Sequence, residues 1–246
     1  KAGTGKTTFL KHIKNTTKKN AIVLAPTGVA AINAGGVTIH SFFQIPFGPF
    51  VPDDSRLRTN TRGSENKETI YTTFKYSEEK RKIIENLELL IIDEISMVRA
   101  DTLDVIDKIL GVYRKKPYLP FGGVQVILIG DTFQLPPIAD NQQWSILSQF
   151  YKTPFFFNSK VIQLNKPLYI ELNKIYRQNE QEFIDLLNRV RVNQVTQNDL
   201  NILNSKYNPN FSGNGNDYII LATHNKIVNE TNLTKLNQLK TDVFTF

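Results

Sequence analysis

The run Leu89-Leu90-Ile91-Ile92-Asp93-Glu94 limits the fold more than any other stretch of this 246-residue chain. Successive side chains of a strand point to opposite faces, so four consecutive large apolar residues leave no face for water. Such a run is a strand covered on both sides, the mark of a parallel sheet layered between helices. Segments 21–25 (AIVLA) and 124–129 (VQVILI) have the same character, and helix-period segments alternate with them. After Asp101, Leu103, Ile106, Ile109/Leu110 and Tyr113 recur at helical spacing, as do Phe183, Leu186/Leu187 and Val190. The fold class is α/β with a central parallel sheet.

Composition narrows the classes further. Forty per cent hydrophobic and 22% charged residues suit a packed core. No apolar run reaches the ~18 residues of a membrane span, so no membrane partner is expected. Absence of cysteine excludes disulfide scaffolds and cysteine zinc sites. A formal charge of +7 favours a polyanionic partner. No signal peptide is visible, and the chain opens on Lys1 rather than Met, as a fragment would.

Two stretches break the rhythm. Residues 46–68 are rich in Pro, Gly, Asp, Arg, Asn and Ser and read as an insertion. Residues 208–217 (NPNFSGNGND) read as a linker. These divide the chain into a first domain (1–45 and 69–207), an inserted small subdomain or wedge loop (46–68), and a linker with the start of a second domain (208–246). Within the last part, 218–222 is expected to be a strand followed by a helix. Another helix should open at Thr196, where Thr-x-x-Asp199 resembles a capping box.

The first residues, KAGTGKT, complete most of a phosphate-binding loop, G-x-x-x-x-G-K-[ST]. Its first glycine would fall one position before Lys1. In such a loop, glycines let backbone N–H groups converge on phosphate, and the next helix adds its dipole. Ala2, Gly3, Thr4, Gly5, Lys6, Thr7 and Thr8 would hold ATP, Lys6 reaching the β/γ-phosphates and Thr7 ligating Mg²⁺. A chance Gly-rich turn is the alternative. Against it, Asp93 and Glu94 close a buried strand at the edge where open α/β sheets bind ligands. Asp93 would hold Mg²⁺ and Glu94 would activate the attacking water.

Further motifs punctuate the chain: APTGVAA from Ala25, TIHSFF from Thr38, PFGGVQ from Pro120 leading into the third strand, GDTFQLPP from Gly130 after it, and ELNKIYRQ from Glu171 before an amphipathic helix. Together with IIDEISMV, this set resembles the Pif-one helicases (petite integration frequency type, superfamily one, type B). The resemblance runs from Lys1 to about Asn232, weakest in the insertion. It implies a RecA-like P-loop domain with ATP and Mg²⁺ as cofactors. Single-stranded DNA and tailed duplex would be the partners, with quadruplexes and RNA–DNA hybrids as further candidates. It also implies a monomer on DNA, 5′-to-3′ travel, and work in repair, recombination and telomere maintenance. The compartment would be cytoplasm or nucleoid in a bacterium, nucleus or mitochondrion in a eukaryote.

Carried over by position, Gln134 resembles the sensor of the γ-phosphate and attacking water. Arg177 resembles the arginine finger, a solvated helix-start arginine being the alternative. Pro26, Thr27, Gly28, Thr38, His40, Ser41 and Phe42 resemble single-strand contacts, hydroxyls meeting phosphates and an aromatic ring stacking on a base. At least one of Phe42 and Phe43 is expected in the core. The further ATP- and DNA-binding motifs of the second motor domain, including a second catalytic arginine, are not found after its opening segment 218–232. Trp144 is expected to pack in a helix, Phe155–Phe157 to form a buried strand or turn, and Arg114-Lys115-Lys116 to be a solvated face.

Overall fold

The computed structural model describes residues 1–61, 67–211, 218–239 and 241. These form two compact units, 1–194 and 195–246. In the first, α1 (Lys6–Thr16) leads to β1 (Ala21–Ala25), α2 (Gly28–Ala34), β2 (Val37–Thr38) and α3 (Ile39–Phe43). Then come α4 (Ile70–Thr73), α5 (Glu78–Glu85), β3 (Leu89–Ile92), α6 (Ala100–Tyr113) and β4 (Gln125–Leu128). Helices α7 (Asn141–Leu147), α8 (Lys160–Leu164) and α9 (Gln181–Arg191) complete it. The strands form one parallel sheet in the order β2-β1-β3-β4.

The apolar run of β3 has a direct explanation. Leu90 and Ile92 enter a core shared with α3, α5 and α6, whereas Leu89 and Ile91 enter a second core with Leu10 of α1. Alternate residues of one strand thus serve two layers. At β4 the expectation for 124–129 contracts by one residue at each end. Gln125 is exposed and the rest only partly covered, since β4 has a single strand neighbour among the described residues.

Of the insertion, 46–61 and 67–68 are described. Phe50 and Leu57 are buried in the α6-side core. The Phe50 N–H donates to Asp101 Oδ2 (3.0 Å), and Arg99 Nη2 donates to the Gly48 carbonyl (2.7 Å) while pairing with Asp101 (2.7 Å). The start of α6 therefore anchors this loop. Its residues 62–66 lie outside the described set.

Arg114 departs from the expected solvated face. Its Nη1 donates to the carbonyls of Glu85 (2.6 Å), Leu87 (2.6 Å) and Ile84 (3.1 Å), and its Nε to that of Gly122 (2.9 Å). One guanidinium thus satisfies the carbonyls that the end of α5 leaves open. Trp144 packs against Ala100, Leu147 and Tyr151, and Phe156–Asn158 is a helical turn rather than a strand.

The second unit holds α10 (Gln197–Asn204) and α11 (Asn225–Asn237). Thr196 and Asp199 form the reciprocal capping box. Residues 218–222 are not a strand. Tyr218, Ile219, Ile220 and Leu221 are exposed, and an extended segment without a neighbour to take its ladder bonds has no sheet to join. No helix among the described residues is long and apolar enough to cross a membrane.

Candidate ATP and nucleic-acid site

All four parallel strands deliver their following loops to one edge of the sheet, where ligands of open α/β sheets sit. The phosphate loop lies there. Gly3 (φ +70°) and Gly5 (φ +82°) take left-handed backbone that side chains disfavour. Space forbids a side chain at Gly3 as well: a Cβ there would lie 2.7 Å from Arg177 Cβ. The loop ends in α1, whose N-terminus has no side-chain cap and no acidic residue in its first turn. Its first N–H groups are left for an anion. Lys6 Nζ folds back onto the Lys1 carbonyl (2.6 Å), and Thr4 Oγ1 donates to the same carbonyl (2.9 Å).

Three other segments meet this loop around a cleft of about 930 Å³, within the range of ligand sites. From β3 comes Glu94, from the loop after β4 come Asp131, Phe133 and Gln134, and before α9 come Tyr176 and Arg177. The Tyr176 N–H donates to the Gly3 carbonyl (2.8 Å), stitching the arginine segment to the phosphate loop. Residues 2–8, Glu94, Gln134 and Arg177 thus line one cleft.

Asp93 sits beside it, 4% exposed. Its Oδ1 accepts from the Glu94 N–H (2.9 Å), and no described residue donates to Oδ2. Burial pushes the Asp93 carboxyl above its ordinary value, the Glu94 N–H and Lys6 pulling it partly back. A buried carboxylate with an open oxygen, next to Glu94 of the cleft that Thr7 also lines, would with the Thr7 hydroxyl give hard-oxygen ligands suited to Mg²⁺. No group of three or more His, Cys, Asp or Glu among the described residues could hold a metal, so phosphate and water would complete the shell.

Glu94 occupies left-handed backbone (φ 49°, ψ 45°), a strain of about 1–2 kcal/mol for a residue with a side chain. Burial, then the Asp93 charge, raises its carboxyl above the ordinary glutamate value, Lys6 opposing. A carboxylate shifted toward neutrality is a better proton acceptor at working pH.

The DNA candidates emerge from the two neighbouring strands. Ala25 pairs in register with Thr38, so Pro26-Thr27-Gly28 and Thr38–Ser41 leave the sheet side by side. Thr27 and Thr38 cap α2 and α3, accepting from the Ala30 (3.3 Å) and Ser41 (3.2 Å) N–H groups; each hydroxyl keeps its proton to donate to a phosphate. The His40 ring stacks on Phe47 (5.1 Å, 20°). Burial, then Arg99, holds its pKa below the ordinary value, Asp101 opposing, so it is neutral at pH 7.

Phe42 is a correction. It is 6% exposed, edge-on to Phe43 (4.8 Å), with Lys80 Nζ 3.4 Å from its ring centre. A base needs an open face, and this ring has none; both phenylalanines are core. Phe42→Leu is expected to cost about 1–2 kcal/mol in urea unfolding and to leave single-strand affinity unchanged. A stacking residue would lose ~1–3 kcal/mol of binding instead.

Sequence reasoning missed three residues. Phe47 is 88% exposed against His40; its only signal is an aromatic in a Pro/Gly-rich stretch. Asp131 was visible inside GDTFQLPP, but without a role. Arg191 Nη2 pairs with Asp131 Oδ1 (2.8 Å); its only sequence signal is that of a cation at a helix C-terminus, which an ordinary dipole partner shares.

The model of the PIF1-like helicase family matches residues 1–201. The ATP-dependent DNA helicase PIF1 of Saccharomyces cerevisiae is 36% identical over 200 residues, 79% of this chain and 21% of that protein. A Bacteroides Pif1 helicase crystallised with ADP-AlF3 and single-stranded DNA superposes with a TM-score of 0.84 at 47% identity, covering 98% of this chain and 53% of that one. A structure of forked duplex DNA unwound by two coordinating Pif1 helicases gives 0.83 at 47% identity, over 96% and 52%. The chain therefore spans about a fifth of the yeast relative and about half of the crystallised chains. With a family model matched over most of its length and the motif-bearing loops gathered at one sheet edge, the chain belongs to the PIF1-like helicase family.

Proposed function

We propose that this chain is the nucleotide-hydrolysing part of an ATP-dependent DNA helicase that moves 5′ to 3′ along single-stranded DNA. The observation that carries this is the meeting of the phosphate loop, Glu94, Gln134 and Arg177 around one cleft, beside the loops of Thr27 and Thr38. The phosphate loop grips the triphosphate through backbone N–H groups and Lys6. Glu94 takes a proton from the attacking water, Gln134 aligns that water, and Arg177 meets the charge on the transferred group. Mg²⁺, held by Thr7 and Asp93, would neutralise the β- and γ-phosphate oxygens.

Because the loops of Thr27, Thr38 and Gln134 all leave the same edge of one parallel sheet, a change at the phosphate reaches the DNA contacts through rigid sheet. Relatives crystallised with single-stranded and forked DNA support those substrates. Quadruplex or RNA–DNA hybrid substrates and action as a monomer are further parts of the proposal. So is the assignment of 208–246 as a linker and the start of a second RecA-like domain, with 46–68 as the wedge.

Unwinding of matched duplexes bearing a 5′ or a 3′ single-stranded tail tests the whole reading. Only the 5′-tailed duplex should open, and Lys6→Ala should stop it while weakening ATP binding by about 10–100-fold. DNA-stimulated hydrolysis with neither duplex opened would instead mark an ATPase that remodels protein–DNA complexes. DNA binding without hydrolysis would mark a passive single-strand binder.

A further inference from the structure

The loop that carries Gln134 has little core to hold it. Phe133 and Leu135 are 57% and 67% exposed, and Gln134 is exposed between them. Yet the position of Gln134 decides whether it can sense a phosphate. What holds the loop is Asp131, a carboxylate that is 4% exposed. Its Oδ1 accepts from Arg191 Nη2 (2.8 Å) and from the Phe133 N–H (3.2 Å), and its Oδ2 from Gln134 Nε2 (3.2 Å). The Gln134 N–H also donates to the Asp131 carbonyl (2.9 Å).

Arg191 grips the loop twice. Besides the ion pair, its guanidinium lies 4.1 Å over the Phe133 ring, a contact suited to the flat face of arginine. Resting on the reading of Gln134 as phosphate sensor, we propose that Arg191 is the positioning residue of that sensor. It clamps Asp131 and Phe133 so that the Gln134 amide is held ready before nucleotide arrives.

Electrostatics agree with the geometry. Burial pushes the Asp131 carboxyl up, but the Arg191 bond, the Phe133 N–H, the Gln134 amide and the Lys1 amino group together bring it down to about 2. Asp131 is therefore an anion at working pH. Removing Arg191 takes the nearest cation from a buried charge and leaves, among the described residues, only the Lys1 amino group at 3.8 Å, which favours a swing of the loop toward water. Arg191 ends α9, and the Arg177 segment lies just before that helix begins. The same helix that follows the arginine finger thus fixes the sensor.

A bystander that only supports the fold would affect every nucleotide alike. The test compares ADP with ADP plus aluminium fluoride, which adds a mimic of the γ-phosphoryl group. Arg191→Gln should weaken the aluminium fluoride complex by about tenfold or more and leave ADP within about twofold. Arg191→Lys, which keeps the charge and loses the flat contact on Phe133, should fall between. Asp131→Asn should have the same selectivity, and the double variant should be no worse than either single one.

The Gln134 side-chain amide resonance supplies a readout without nucleotide: it should move toward free-amide position in Arg191→Gln. Equal loss for both ligands, no loss for either, or additive effects in the double variant would overturn the proposal. Should the wild-type chain bind neither ligand, the ATP reading fails by itself, and an unmoved Gln134 resonance would then refute the clamp.

Discussion

Arg177→Ala is expected to lower DNA-stimulated ATP turnover by about 10³–10⁵-fold, the range an arginine finger contributes to phosphoryl transfer. The backbone carries the case. Tyr176 is hydrogen-bonded to the Gly3 carbonyl (2.8 Å), and Arg177 Cβ packs where any side chain at position 3 would collide. The residue is thus locked to the phosphate loop, while its guanidinium makes no hydrogen bond to any described residue and is free to reach a phosphoryl oxygen. Arg177→Lys should recover little, because a point charge lacks the fork that meets two oxygens at once. Steady-state hydrolysis at saturating single-stranded DNA measures both. A loss below tenfold would return Arg177 to an ordinary solvated arginine at a helix start.

The legible parts of this fold are those whose reasons are local. β3 could be read because alternate residues serve two cores, and α10 because Thr196 and Asp199 cap it within four residues. The phosphate loop could be read because glycine is the residue that tolerates its backbone. What escaped depends on partners far away in the chain. Phe50 docks through Asp101, 51 positions later, and no pattern inside 46–68 announces that. Arg114 looked like part of a basic surface because the carbonyls it caps belong to residues about 30 positions earlier.

The same holds within the site. Phe42 has the composition of a stacking residue, and only Lys80 and Phe43 covering it remove it from the DNA contacts. Arg191 and Asp131 meet across 60 positions, so neither residue's neighbours betray the clamp. Segment 218–222 shows the converse error: its apolar, β-branched composition is that of a strand, yet strand formation is a property of pairs.

Glu94→Gln should retain ATP affinity and lose about 10²–10⁴-fold in turnover, the usual weight of a positioned general base. The amide keeps the size and shape of the carboxylate but cannot accept a proton, so the loss reports on the base. The pH profile sharpens the test. Burial and the Asp93 charge raise the Glu94 carboxyl above its ordinary value of 4.5, so the base is lost by protonation as pH falls through that raised value. The wild type should therefore show an acid limb in kcat/KM lying above pH 4.5, and the residual activity of Glu94→Gln should lack it. Were the limb unchanged in the variant, another group would be taking the proton, and Glu94 would be left as a strained turn residue at the end of β3.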